Sequence, residues 1–274
     1  MDRRARAGGA RVNDAGETVL TPPILEARHL RKAFGGNLVL DDVSLAFEPN
    51  RLSAIIGPNG AGKTTCFNLL SGFLQPDQGA IWLKGRDVTA LAPDRRARLG
   101  LCRSFQILNL FDDMSVLENA RVAVPAMRRR GFDLWTPAGA IAEAGDKAAG
   151  IVRLVGLAGR EHVAARYLSY GQRRLLEIGV ALAGEPDVLL MDEPTSGLGS
   201  RPMETLRELV QRLAQELTIV VIEHDMDFVL SLSHHVAVLH RGTVIAEGAP
   251  EAIRDNAEVR EAYLGTLRYA RAGG

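Results

Sequence analysis

The chain has 274 residues and little of what marks a secreted, membrane-spanning or metal-rich protein. Its two cysteines, Cys66 and Cys102, lack the spacing of a metal site, and so small a number suggests packing residues in a reducing compartment. No apolar run approaches the ~20 residues that a membrane-spanning helix needs, and the first residues contain no apolar signal segment. We therefore expect a cytoplasmic protein that would serve a membrane only by docking on another protein.

An excess of charge of one sign is also missing. Lys and Arg total 33, Asp and Glu total 33, and the formal net charge is zero. A chain without net charge has no general electrostatic attraction for nucleic acid or for an anionic membrane, so no nucleic acid partner is expected. At this length the chain can bury one large core, or a core and a smaller lobe, without disulfide bonds.

Residues 1–23 show no sustained hydrophobic periodicity and mix four arginines with small and polar residues, which predicts a disordered tail. The alternative for these basic residues is contact with lipid headgroups. Order is expected to begin at Ile24, and residues 269–274 are expected to form a second short tail.

From residue 24 onward the pattern is that of an α/β protein. Alternating segments at residues 24–30 and 39–47 flank a glycine turn and predict two antiparallel strands near the N-terminus. Later apolar runs alternate with helical segments, which indicates a mainly parallel sheet covered on both faces. They lie at residues 51–56, 187–191, 218–222 and 236–239. Residues from about 107 to 185 have a helical texture and are expected to form an insertion into this core.

Glycine, by contrast, is concentrated at residues 57–65. Gly57, Gly62, Lys63 and Thr64 match the pattern G-x-x-x-x-G-K-[ST], in which backbone N–H groups surround the phosphates of a nucleotide. An apolar strand precedes the motif and a helix follows it, so the phosphates would also meet a helix N-terminus. The alternative is a glycine-rich turn with an incidental lysine.

We expect the whole of this phosphate loop to bind ATP, with Lys63 reaching the β- and γ-phosphates and the Thr64 hydroxyl binding Mg²⁺. The loop consists of Gly57, Pro58, Asn59, Gly60, Ala61, Gly62, Lys63, Thr64 and Thr65.

Two carboxylates, Asp192 and Glu193, follow an apolar run directly. They therefore belong at the C-terminal end of a strand, where α/β sheets bind ligands. Asp192 is expected to help hold Mg²⁺, and Glu193 to polarise the water that attacks the γ-phosphate. An ordinary acidic loop is the alternative, and the upstream phosphate loop argues against it.

Three further residues have less specific signals. His224 follows another strand, where its imidazole could act in catalysis by hydrogen-bonding the γ-phosphate. The amide of Gln106, also at a strand end, could contact Mg²⁺ or the attacking water. Phe34 stands beside the glycine turn and could stack on the nucleotide base. A structural histidine and a core phenylalanine are the alternatives.

The segment from Leu168 to Gln172 reads Leu-Ser-Tyr-Gly-Gln and lies between the helical stretch and Asp192. Together with the phosphate loop, Gln106, Asp192-Glu193 and His224, in this order, it resembles the ATP-binding subunits of ABC transporters. Tyr170 departs from the commonest family pattern, which has glycine at this position.

The resemblance implies an ATPase domain over residues 24–268 with the P-loop NTPase fold: a mainly parallel α/β sheet, N-terminal antiparallel strands and a helical subdomain inserted at about 107–185. It also implies that Ser169, Gly171 and Gln172 bind the γ-phosphate held by an opposite subunit. A second ABC ATPase subunit, identical or different, would thus complete the site. Transmembrane permease subunits and a periplasmic solute-binding protein are the other implied partners, placing the chain on the cytoplasmic face of the inner membrane.

A narrower resemblance rests on residues 103–106, 222–226 and 262–265. They read Arg-Ser-Phe-Gln, Ile-Glu-His-Asp-Met and Ala-Tyr-Leu-Gly, and are similar to segments of the ATPases that drive import of branched-chain amino acids. Close relatives that import urea or short amides are an alternative. In a transporter, residues 110–126 are expected to dock the permease, with Asn109 and Asp112 as exposed contact positions.

Two other classes stay open. An ATPase for export or lipid handling would share every catalytic residue named above. A non-transport ABC protein acting on DNA or ribosomes is disfavoured by the single copy of each motif and by the neutral charge.

Overall fold

The structure, a computed structural model, describes residues 10–12, 18–20, 22–104, 110–128 and 138–263. Its strands are β1 (Ala10–Val12), β2 (Thr18–Leu20), β3 (Leu25–Phe34), β4 (Asn37–Phe47), β5 (Leu52–Ile56), β6 (Gln78–Leu83), β7 (Arg86–Asp87), β8 (Leu101–Ser104), β9 (Val188–Asp192), β10 (Thr218–Ile222), β11 (His235–His240) and β12 (Thr243–Gly248). Its α-helices are α1 (Lys63–Ser71), α2 (Pro93–Arg98), α3 (Val116–Arg128), α4 (Ala138–Leu154), α5 (Tyr170–Leu182), α6 (Ser200–Leu213), α7 (Met226–Leu232) and α8 (Pro250–Asp255).

The largest sheet has the strand order β12-β11-β5-β10-β9-β8. Every neighbouring pair in it is parallel except β11 and β12, which form a hairpin. β5 and β10 lie at the centre, and every residue of both strands is buried. Parallel neighbours require crossover connections: α6 connects β9 to β10, and α3, α4 and α5 lie between β8 and β9. The predicted α/β fold with a mainly parallel sheet is confirmed.

Side chains of the central strands alternate between two hydrophobic cores because strand residues point to opposite faces in turn. Ile55 and Val220 face a core shared with α1 and a second, antiparallel sheet of order β4-β3-β6-β7. Ala54 and Val221 face the other core, which the helices from α3 onward cover. The edge of the sheet where these strands end is therefore held from both sides.

The N-terminal region contains the expected hairpin of β3 and β4, closed by Gly35 and Gly36 with positive φ angles. Within residues 1–23, which are expected to form a tail, β1 and β2 pair as a short antiparallel ribbon. The strand propensity of β2 explains this ribbon, because its β-branched and aliphatic side chains favour strands: Thr18, Val19 and Leu20.

Between β8 and β9 the described chain is helical, as predicted. It forms α3, α4, a short 3₁₀ turn and α5. The predicted start of the helical subdomain, at about residue 107, is outside the described part of the chain, so its boundaries stay a prediction. Over the described residues, no helix is long and apolar enough to cross a membrane.

Candidate nucleotide site

The phosphate loop connects the end of β5 to the start of α1. A side chain at Gly57 would meet the carbonyl oxygen of Leu239 at 2.1 Å, and one at Gly62 would meet the Leu40 side chain at 2.6 Å. Gly57 and Gly62 also have φ angles of 150° and 101°, which side-chain-bearing residues rarely adopt. The close packing of this loop therefore requires glycine at both ends of the motif.

The N-terminus of α1 suits a polyphosphate. Gly62 is its N-cap and makes no side-chain capping hydrogen bond, so the first N–H groups of the helix are not taken by a cap. Thr64 in the first turn is exposed, and Thr65 is half-buried. Free N–H groups and the positive end of the helix dipole together favour an anion at this position.

Lys63 crosses the loop from the start of α1. Its ammonium donates hydrogen bonds to the carbonyl oxygens of Gly57 at 2.7 Å and Pro58 at 3.0 Å. Burial lowers the pKa of Lys63, and the nearby carboxylates of Glu193 and Asp192 oppose that shift. The loop lysine and the two predicted catalytic carboxylates are thus brought together.

Asp192 is the last residue of β9, and its side chain is buried. Its carboxylate accepts a hydrogen bond of 2.6 Å from Arg103, and its main-chain carbonyl accepts one from Arg174 on α5. Sequence reasoning missed both arginines as partners. The available signal was the position of Arg103 directly after the apolar pair Leu101 and Cys102 in a strand, because a buried charge requires a partner.

Oxygen donors at this edge suit Mg²⁺. The Thr64 hydroxyl and the Asp192 carboxylate are hard ligands, and Mg²⁺ is commonly bound by one or two such groups together with phosphates and water. In the described ranges, no group of three or more His, Cys, Asp or Glu side chains forms a metal site of its own. The donor set thus fits an ion that arrives with a nucleotide.

Glu193 and His224 follow neighbouring strands and touch each other. His224 Nε2 lies 2.7 Å from Glu193 Oε1, and both side chains are partly exposed. Glu193 has a φ of 45°, and its N–H donates to the carbonyl oxygen of Ile222 on β10. A strained residue held by a neighbouring strand is a common feature of functional sites.

Glu223 organises the loops behind this pair and was not singled out from the sequence. Its carboxylate accepts hydrogen bonds of 2.8 Å from both the N–H and the hydroxyl of Thr195, and one of 3.1 Å from the N–H of His224. Burial raises the pKa of Glu223, and these hydrogen bonds oppose that shift. Glu223 therefore joins the loop after β9 to the loop after β10.

The segment from Leu168 to Gln172 starts α5 with a capping box. The N–H of Gln172 donates to the Ser169 hydroxyl, and the N–H of Ser169 donates to the Gln172 amide oxygen at 3.1 Å. A side chain at Gly171 would meet Pro202 at 2.7 Å, so glycine lets α5 approach the start of α6. The Ser169 hydroxyl thus stands at an exposed helix N-terminus, next to residues 197–202.

Phe34 ends β3 and is 45% exposed, with the Lys32 ammonium 5.5 Å from its ring centroid. The ring is therefore not the core residue that was weighed as an alternative. Its hairpin lies on the phosphate-loop side of the molecule, because Asp41 donates to the carbonyl oxygen of Gly242 and Gly242 donates to that of Ala61. Gln106 lies outside the described residues.

Tyr263 also reaches the loop and was quoted from the sequence only as part of a resemblance. It lies in the helical segment at residues 257–263, with its phenol beside the backbone of Gly57. Burial raises the pKa of Tyr263 to about 12. The end of the described chain thus supports the beginning of the phosphate loop.

Comparisons with known proteins agree with this site. A family described as ABC transporter matches residues 40–196, and one described as Branched-chain amino acid ATP-binding cassette transporter matches residues 243–266. The chain is 40% identical to the high-affinity branched-chain amino acid transport ATP-binding protein LivG of Salmonella typhimurium and 41% identical to BraF of Pseudomonas aeruginosa. Each alignment spans 253 residues, 90% of this chain and 99% of the relative.

More distant relatives include the Nod factor export ATP-binding protein I of Cupriavidus metallidurans, 35% identical over 85% of this chain and 73% of that protein. Among solved structures, a nucleotide-free ATP-binding cassette of an ABC transporter has a TM-score of 0.77 at 31% identity, covering 88% of this chain and 98% of that one. A cassette in its ADP conformation has a TM-score of 0.78 at 31% identity, covering 89% and 100%. The chain therefore belongs to the ABC transporter family, and it is an ATPase of that family.

Proposed function

We propose that this chain powers the import of branched-chain amino acids as the ATP-hydrolysing subunit of a transporter. One observation supports the proposed site above all: Lys63, Asp192 and the Glu193–His224 pair converge where β5, β9 and β10 end. The proposed solute rests on the names of LivG and BraF and on the match at residues 243–266.

In the proposed reaction the loop N–H groups and Lys63 bind the ATP phosphates, while Thr64 and Asp192 hold Mg²⁺. Mg²⁺ held by these two residues would neutralise part of the phosphate charge. Glu193 orients the attacking water and accepts its proton, and His224 holds the Glu193 carboxylate and hydrogen-bonds the γ-phosphate. The 2.7 Å contact between His224 Nε2 and Glu193 Oε1 supports the first of these two roles of His224.

ATPase subunits of this family dimerise and work with membrane permeases. We infer that Ser169, Gly171 and Gln172 act across that dimer, binding the γ-phosphate held by the opposite subunit. Their place at the exposed N-terminus of a helix of 13 residues supports the inference, because such an end attracts anions.

A groove of about 350 Å³ is the proposed permease dock. It opens between the end of α1, α2, β8, α3 and α5, and apolar residues such as Phe73, Leu101 and Val180 line it. The dock expected at residues 110–126 thus contributes Ala123 to a larger surface. Docking there would keep the chain peripheral, on the cytoplasmic face of the membrane.

Of the two contact positions predicted for that dock, Asn109 and Asp112, the structure describes only Asp112. Asp112 pairs with Arg173 on α5 at 2.6 Å, so its replacement would also loosen the start of that helix. Val180 lines the groove and is only half-buried, so it is the better position for separating docking from ATP hydrolysis.

Replacement of Glu193 by Gln tests the proposed mechanism. We expect ATP binding to persist while hydrolysis slows by roughly 10²–10⁴, the usual contribution of a positioned general base. The intact ATP should trap a dimer, alone or with the partner cassette, measurable by light scattering. Glu216→Gln is the matched control, because Glu216 is exposed on the surface. Unchanged hydrolysis, or monomers only at saturating ATP with the partner supplied, would contradict the mechanism.

The solute is tested with the complete transporter in proteoliposomes. ATP-dependent uptake of labelled leucine, isoleucine or valine, dependent on the solute-binding protein, is the expected result. Uptake of urea or a short amide instead would select the alternative importer. Transport in the opposite direction would select an exporter.

A further inference from the structure

Arg103 is buried beside the proposed Mg²⁺ site and has no role in the mechanism derived above. Its side chain is 9% exposed, and that of its partner Asp192 is 3% exposed. The guanidinium makes hydrogen bonds in two directions. One nitrogen donates to the Asp192 carboxylate at 2.6 Å, and another donates to the Asn68 amide oxygen at 2.7 Å and to the Ser71 hydroxyl at 3.1 Å.

Two aromatic rings hold the same guanidinium in place. Its central carbon lies 5.6 Å from the ring centroid of Phe67 and 5.8 Å from that of Phe73, within the range of cation–π contacts. Asn68, Ser71 and Phe67 all belong to α1, the helix whose first turn carries Thr64. Arg103 therefore ties the carboxylate at the end of β9 to the helix that carries the other proposed Mg²⁺ ligand.

We propose that Arg103 is a positioning residue for Mg²⁺: it holds the Asp192 carboxylate in a fixed place relative to Thr64. This inference rests on the proposed function, in which Asp192 and Thr64 bind the ion. Arg103 itself touches neither ion nor nucleotide, and it acts through Asp192. Partners that orient a metal ligand commonly change metal affinity by about 10–100-fold when they are removed.

Two opposing effects of Arg103 have to be separated. Its positive charge repels Mg²⁺, so its removal would strengthen metal binding if charge alone mattered. Its hydrogen bonds fix the orientation of Asp192, and Mg²⁺ demands near-ideal octahedral geometry. The orientation effect dominates, because the guanidinium is anchored at both ends and stacked on two rings.

The experiment measures ATP binding to the full chain by calorimetry, over a Mg²⁺ titration and in EDTA. Arg103→Met is expected to raise the half-saturating Mg²⁺ concentration about 10-fold. Its affinity for ATP in EDTA should stay within about 2-fold of wild type, since the loop residues are untouched. Arg103→Lys keeps the charge but cannot bridge Asp192 and Asn68, so its shift should be intermediate.

Asn68→Ala is a second, milder variant that leaves both Arg103 and Asp192 in place. By removing one anchor of the guanidinium it should raise the half-saturating Mg²⁺ concentration about 2–3-fold. Arg98→Met is the control, because Arg98 lies exposed on α2. It should bind Mg²⁺ and ATP as the wild type does.

Unchanged or tighter Mg²⁺ binding in Arg103→Met would overturn the proposal. So would an equal loss of ATP affinity with and without Mg²⁺, since that is the signature of general support for the fold. A wild type without Mg²⁺-dependent ATP binding would refute the proposed function as well. If the wild type shows Mg²⁺-dependent ATP binding and Arg103→Met has the same half-saturating Mg²⁺ concentration, only the positioning role of Arg103 is refuted.

Discussion

The two ends of α1 present unpaired backbone groups to very different surroundings. At the N-terminus Gly62 supplies no side-chain cap, and the phosphate loop curls beside the first N–H groups. At the C-terminus the Arg96 guanidinium donates to the carbonyl oxygens of Leu69 and Leu70, at 2.7 Å each. The N–H of Gly72 also donates to the Leu69 carbonyl oxygen, at 3.1 Å.

Arg96 binds two of the carbonyl oxygens at its end of the helix. It is fully buried and also donates to the carbonyl oxygens of Leu91 and Thr89, and burial lowers its pKa to about 10. A side chain at Gly72 would meet Arg96 Nε at 2.8 Å. The comparison shows that backbone groups stay available where a ligand binds, and are satisfied by the protein itself where the helix only supports the site.

Arg96→Met acts at the C-terminus of α1 and should have the largest effect, a loss of stability. Four carbonyl oxygens would lose a charged donor in a buried place, so we expect the free energy of unfolding to fall by about 3–5 kcal/mol. Denaturant titration measures it, and ATP affinity of the folded protein should change by less than about 2-fold. Arg98→Met on the exposed side of α2 is the control. An equally small effect of both changes would contradict the role assigned to Arg96.

Lys63→Ala acts at the N-terminus of α1. It should reduce ATP affinity strongly and change stability little, the reverse of Arg96→Met. ATP affinity is expected to fall about 100-fold, because the charged hydrogen bonds to two phosphates are lost. Stability should change little, since the ammonium is bonded only to loop carbonyls. Calorimetry measures both quantities, with Lys84→Ala on the surface as the control. ATP affinity within about 2-fold of wild type would contradict the assignment.

Glu223→Gln tests a buried carboxylate whose hydrogen-bond partners all lie within the protein, at the edge of the sheet where the ligand is proposed to bind. Burial raises the pKa of Glu223 in the folded state above its ordinary value of 4.5, so the folded protein binds this proton more tightly than the unfolded chain. Wild-type stability should therefore fall as pH rises from about 4.5 through the folded pKa, and this decline should be absent in the variant. Denaturant titrations across that range measure it.

The control for this pH effect is Glu216→Gln, which removes a surface carboxylate and should follow the wild-type curve. A wild type and a Glu223→Gln variant with parallel stability curves would mean that Glu223 does not titrate differently in the folded state.

Gly199→Asp should have the smallest effect on stability and activity. It adds a capping side chain to the N-terminus of α6, which has none. Like Gly62 on α1, Gly199 caps α6 without a side-chain hydrogen bond, and a Cβ there meets no atom within 4 Å. An aspartate cap should stabilise the fold by a few tenths of a kcal/mol. It should also raise ATP turnover of the assembled transporter if this position contributes a side chain across the dimer.

Ser200→Asp places the same charge one residue further along and separates the two effects of Gly199→Asp. It should interact with the helix dipole without providing the cap. Thermal unfolding and ATPase assays on both variants decide the matter. Equal turnover in Gly199→Asp and wild type would leave the glycine without a role in catalysis.

Order and spacing along the chain were sufficient to predict the phosphate loop, the carboxylates after β9 and the histidine after β10. Each of these features is local, because it depends on which residue follows a strand or opens a helix. The alternation of strands and helices likewise predicted the parallel sheet. The ribbon of β1 and β2 was missed, since six residues in a polar segment give too short a pattern.

Tertiary structure decided which buried charges meet. Arg103 and Asp192 are 89 residues apart, and they touch only because β8 pairs with β9. Glu223 reaches Thr195 because β10 lies beside β9, and Arg96 hydrogen-bonds Leu69 although 27 residues of chain separate them. A local pattern shows that a buried arginine or glutamate needs a partner, but the order of strands in the sheet determines which residue that partner is.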